Sequence, residues 1–153
     1  MGRGIGTSIS LVEISTIAHA TENLEKVVSV IKNLVPKELL GELEKNMEVL
    51  SMEGHYGNPL TRITVRFKGR GAREVARYIF SRLEKSDFET IIYTIDRRFD
   101  GKGRVFIRLS KQDAYLGKLR LYEREDVIRV MLTLPGVRRS ENVERILRQI
   151  RGE

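Results

Sequence analysis

Residues 61–67 read Thr61-Arg62-Ile63-Thr64-Val65-Arg66-Phe67. Side chains of an extended chain alternate between two faces, so Ile63, Val65 and Phe67 share one side and Arg62, Thr64 and Arg66 the other. Such a segment fits a strand that is buried on one face and solvated on the other. Residues 104–109 repeat the pattern, with Val105, Ile107 and Leu109 opposed to Arg104, Phe106 and Arg108. In 126–133, Ile128, Val130 and Leu132 face the core and leave Arg129 outward. Residues 9–18 carry apolar side chains on both faces, which makes that strand central or bulged. The run 47–53 alternates less cleanly; with 61–67 it forms a wide hairpin around GHYGNP, residues 54–59.

Between the strands the apolar period becomes helical. Thr21 is a candidate N-cap for a helix over 22–34, in which Leu24, Val27, Val28, Ile31 and Leu34 form one stripe. Pro36 ends or breaks it, and the polar stretch 37–46 is a short helix or loop. A helix over 72–83 buries Val75, Ala76, Ile79, Phe80 and Leu83. Ser86 and Glu89 have capping-box spacing, so a further helix starts there and directs Phe88, Ile91, Ile92, Ile95 and Phe99 inward. Residues 111–117 read as a helical turn closed by glycine, and Val143, Ile146, Leu147 and Ile150 mark a closing helix. The order β-α-β-β-α-α-β-α-β-α predicts an α+β, two-layer sandwich. Its mixed, mainly antiparallel sheet has about five strands, with helices packed on one face. One domain over residues 1–153 is expected, with 1–8 a flexible terminus.

The chain of 153 residues has no cysteine, which excludes disulfides and thiolate zinc sites and suits a reducing or hot interior. MGRGIGTSIS interrupts with glycine where a signal peptide needs an apolar run, and no stretch approaches a membrane span. A soluble cytoplasmic protein, away from membranes, is expected. Abundant Arg, Lys and Glu have a thermophilic character. The formal net charge is +7, and its distribution is uneven. Arg62, Arg66, Lys68, Arg70, Arg73, Arg77 and Arg82 are opposed within residues 62–82 only by Glu74, a net +6.

If helices cover the Ile63 face, then Arg62, Arg66, Arg104, Phe106, Arg108 and Arg129 share the opposite one. Arginine forks bind phosphate, and an aromatic among them can stack a base. A solvated face of a thermostable protein is the alternative. RNA, single-stranded or structured, suits this face better than duplex DNA, because no zinc finger, basic zipper or helix-turn-helix is present. Lys68, Arg70 and Arg73 flank Gly69 and Gly71 at a strand–helix junction that can meet a phosphate; it lacks the Walker and dinucleotide spacings. His19 and His55 have neither metal-binding spacing nor a nucleophile elbow, so no metal, cofactor or catalytic residue is expected. In GHYGNP, Gly54 and Gly57 can occupy positive φ, Asn58 can bond to nearby backbone and Pro59 restricts Asn58 to extended geometry, which describes a specified turn. Tyr56 packs over the hairpin end or stacks a base.

Three stretches together resemble the archaeal proteins described as predicted exosome-associated RNA-binding proteins. They are His19-Ala20-Thr21-Glu22, GHYGNP with the preceding Glu53, and Lys111-Gln112 followed by Ala114-Tyr115-Leu116-Gly117. The resemblance implies a fold like that of the large-subunit ribosomal protein that holds the 5S RNA. It also implies an archaeal cytoplasmic setting and a link to RNA processing or the ribosome. Lys68–Arg73 and the Arg138-Arg139 pair match no motif of that family.

If the ends of the strands converge, the three motifs form one patch. Tyr56 and Tyr115 then stack bases, while His19, His55, Lys111 and Gln112 contact the RNA backbone or base edges. Alternatively, these residues, with Thr21, Glu22 and Asn58, brace the sheet end. The expected function is non-catalytic RNA binding, as an accessory to exosome-linked processing or ribosomal RNA handling, with exosome or ribosome-related proteins as partners. A scaffold subunit whose basic surface meets an acidic partner is the rival.

Overall fold

The computed structural model describes residues 9–153; the terminus expected to be flexible, 1–8, lies outside the described residues. Among the described residues, β1 (Leu11–His19), β2 (Met47–Glu53), β3 (Pro59–Lys68), β4 (Arg104–Ser110) and β5 (Val127–Thr133) form one sheet. The strand order is β2-β3-β1-β5-β4, and every pairing is antiparallel. The doubly apolar β1 is central, between β3 and β5. Among the described residues the sheet has no parallel pair, so it is antiparallel rather than mixed: β1 is flanked by two strands that both return against it.

Helices α1 (Leu24–Lys32), α2 (Leu40–Lys45), α3 (Gly69–Arg82), α4 (Lys85–Tyr93), α5 (Ile95–Arg98), α6 (Lys111–Tyr115) and α7 (Ser140–Arg151) connect and cover the strands. A 3-10 turn, Lys37–Leu39, precedes α2. Val12, Ile14, Ile63, Val65, Phe67, Val105, Ile107, Ile128 and Val130 are buried on the covered face. They join Ile31, Ile79, Phe80, Phe88 and Leu147 from the helices in one hydrophobic cluster. Phe80 and Phe88 meet edge to face at 6.2 Å, joining α3 to α4. Burial of these alternate residues, rather than any strand propensity, holds the register, because a one-residue slip would expose all of them.

Two expected helix starts differ. Asn23, not Thr21, caps α1: its Oδ1 accepts from the Glu25 and Lys26 N–H groups at 2.8 and 3.3 Å. Leu24 thereby sits in the first turn and is exposed, outside the apolar stripe. The Ser86–Glu89 box is not used. Helix α4 is capped at Glu84, two residues earlier, Asp87 accepts from the Leu121 N–H at 3.0 Å, and Glu89 turns to Arg148. A long-range partner, Arg148, takes Glu89 in place of the local cap. No helix of the described residues is long and apolar enough to cross a membrane.

Candidate nucleic-acid interface

The face of the sheet away from the helices has a readable register. Arg66 stands opposite Glu13, and Thr64, Ser15, Arg129 and Arg108 line up across β3, β1, β5 and β4. Arg62 lies opposite Ile17 and Leu50. One residue row beyond the Arg108 row, Phe106 faces Met131, and Lys68 and Arg104 stand at the far end of their strands. The alternating sequences thus bring Arg62, Arg66, Lys68, Arg104, Phe106, Arg108 and Arg129 to one face. Arg70 and Arg73 do not join them. The backbone turns at Gly69, φ 56°, into α3, and these two arginines lie on the helix layer with Arg77. The basic run of residues 62–82 is therefore split between two sides.

Charge on the open face is unevenly neutralised. Arg66 donates to Glu13 at 2.8 Å and Glu48 at 2.6 Å. Hydrogen bonding to Glu48 first and Glu13 second raises its pKa above the ordinary guanidinium value. Arg62, Lys68, Arg104, Arg108 and Arg129 have no carboxylate within ion-pair distance among the described residues. Arg108 and Arg129 are directly opposite across β4 and β5, an arrangement in which like charges repel. The buried Nε of Arg108 has no hydrogen-bond partner among the described residues.

A groove of about 600 Å³ lies over this region. Arg62, Arg108 and Arg129 line it, with Ser15 and Ile17 on the floor and Glu125 and Asp126 on one side. GHYGNP forms the other rim. The Gly54 N–H donates to the Asn58 carbonyl at 2.6 Å, the Gly57 N–H donates to the Gly54 carbonyl at 2.9 Å, and Gly57 has φ 80°. This hydrogen-bonded turn lifts His55 and Tyr56 outward, their rings edge to face at 4.9 Å, and leaves Tyr56 91% exposed. His19 and Asn58 also line the groove.

Lys111 and Glu22 are bonded to the same end of the sheet. Lys111 is only 4% exposed. Its Nζ donates to the Ile17 carbonyl at 2.7 Å, Glu22 Oε1 at 2.9 Å and Asp126 Oδ1 at 3.2 Å. Glu22 Oε1 also accepts from the His19 N–H at 2.9 Å. Burial is the largest influence on the Glu22 carboxyl and acts to raise its pKa. The His19 N–H and the Lys111 hydrogen bond and charge together outweigh burial and hold it below the ordinary value. Lys111 is therefore buried and paired within the protein, and Glu22, half-buried, shares that pairing. Beyond this pair, Thr21, Gln112 and Tyr115 line a smaller cavity of about 310 Å³, where Lys26 Nζ lies 4.4 Å from the Tyr115 ring centroid.

His19, Glu22 and Asp126 bring one ligand atom each within 4.8 Å of one another. Lys111 Nζ already supplies a cation to both carboxylates. Neither histidine side chain hydrogen-bonds to a base or nucleophile among the described residues. Asp126 is not singled out by the sequence: its pairing with Lys111 follows from the strand order, and it takes a positive φ, 62°, that Asp tolerates better than most residues.

A family model described as RNA binding matches residues 11–134, from the first residue of β1 to just past β5. The RNA-binding protein PAB1135 of Pyrococcus abyssi is 34% identical over 122 residues, 79% of each chain. An uncharacterized protein of Methanocaldococcus jannaschii is 30% identical over 131 residues, 80% of this chain and 83% of its own. The crystal structure of protein AF2318 from Archaeoglobus fulgidus superimposes with TM-score 0.77 at 30% identity, covering 93% of this chain and 99% of that one. With the whole sheet inside the matched segment, the chain belongs to this archaeal family of RNA-binding proteins.

Proposed function

We propose that the protein binds RNA without turning it over, and that the open sheet face is the contact surface. One observation carries this: four arginines, Arg62, Arg104, Arg108 and Arg129, share that face without carboxylate partners among the described residues, whereas Arg66 between them is doubly paired. Charged groups left unneutralised at an uncovered surface suit a polyanion. Electrophoretic titration with RNA at increasing salt tests it, since phosphate contacts release counterions and binding must weaken as salt rises. Replacing Arg62, Arg108 and Arg129 together by alanine reduces binding at least tenfold; undiminished binding assigns the surface elsewhere.

The finer role is that of an accessory factor in exosome-linked RNA processing or ribosomal RNA handling in the cytoplasm, supported by the resemblance of the three motifs. Native purification before and after nuclease treatment tests this role. Exosome or ribosome-related proteins lost with the RNA support it. A scaffold reading is favoured by a separate observation, the Arg70, Arg73 and Arg77 patch on the helix layer, and predicts acidic partners retained after nuclease.

A further inference from the structure

We propose that the groove and the sheet face beside it take one unpaired RNA strand, with a backbone phosphate seated between Arg108 and Arg129, one base stacked on Tyr56 at the groove rim and another on Phe106 beyond the groove. This rests on the open face being the RNA surface and adds the class of RNA it accepts. The phosphate position follows from an incomplete arrangement. Arg108 and Arg129 are cross-strand neighbours of like charge, and the Arg108 Nε is buried without an acceptor among the described residues. A phosphate between them removes the repulsion and offers oxygens to that donor. Elsewhere on the sheet Glu13 and Glu48 neutralise Arg66, so the fold has the means to pair an arginine and does not use it here.

Single-strandedness follows from the aromatics. Tyr56 stands 91% exposed on the rim, and Phe106 is 47% exposed two residues along β4 from Arg108. Tyr56 sits in the turn ahead of Pro59, whereas Phe106 lies in the row of Arg66, on the far side of the row that holds Arg108 and Arg129. The rings are thus separated by roughly 14 Å across the strands and by roughly 20 Å or more along them, and they flank the arginines rather than sharing one spot. In a duplex the base faces are stacked on one another and present nothing to a ring; only unstacked bases can use both. Glu125 and Asp126 also line the groove, but Asp126 is held by Lys111, which leaves Glu125 as the charge opposing the strand.

Fluorescence anisotropy with synthetic RNA of about eight nucleotides, unpaired or as a blunt duplex of the same length, tests the proposal. The single strand is expected to bind at least tenfold more tightly. Tyr56→Ala and Phe106→Ala, both at exposed positions and checked by circular dichroism, each weaken it about tenfold. Arg108→Ala with Arg129→Ala lowers the salt slope by about one. Equal or tighter duplex binding overturns the proposal and leaves RNA binding intact, as do aromatic variants that bind normally. Failure of both probes at low salt overturns this proposal and the reading beneath it.

Discussion

Lys111 ties three chain segments together through one ammonium group. With its ammonium removed in Lys111→Met, Glu22 and Asp126 face each other and the Ile17 carbonyl loses its donor. A loss of about 2–4 kcal/mol in urea unfolding is expected, with the partial exposure of both carboxylates keeping it below the cost of a fully buried pair. Glu22 makes the same node pH-dependent. Its folded pKa is depressed from 4.5, so the folded state binds fewer protons than the unfolded one as that value is approached from above. Its contribution is fully present above about pH 4.5 and disappears as pH falls through the folded value. Thermal melts of Glu22→Gln between pH 3 and 7 should show a shallower acid limb than the parent. At the groove, Glu125→Gln removes a charge opposed to phosphate, and an RNA titration at low salt should show tighter binding by about two- to threefold.

Among the elements, the strands were more legible in the sequence than the helix starts, and the physics explains the difference. The alternation in 61–67 and 104–109 is enforced by a core that lies under Ile63–Phe67 of β3 and along β4. Helix starts depend on which partner a polar side chain finds, and for Asp87 and Glu89 those partners are Leu121 and Arg148, far along the chain. The basic run was read as one segment, yet Gly69 divides it between two layers. The site was half legible: alternation placed the arginines on one face, but the burial of Lys111 depends on strand order. Gly103 tests the packing of a turn. A Cβ there lies 2.7 Å from the Leu134 carbonyl oxygen at φ 93°, so Gly103→Ala should destabilise by roughly 1–3 kcal/mol in chemical unfolding. In the core, Phe80→Ala should cost about 3–5 kcal/mol in the same assay, since its ring is fully buried between α3 and α4.

For the molecule as a whole, the two layers carry two separate basic surfaces. Replacing Arg70, Arg73 and Arg77 together by alanine removes as many charges as the triple change at Arg62, Arg108 and Arg129. If net charge alone governed RNA affinity, the two variants would bind equally in anisotropy titrations; the open face predicts a loss of at least tenfold confined to the second. The layers also leave a side of the molecule that takes no part in the proposed contact. Gln149 is exposed on α7, in the helix layer, and the sequence contains no thiol. Gln149→Cys therefore gives a single attachment point. A chain tethered to a solid support or dye through that position holds its sheet outward, every copy in the same orientation.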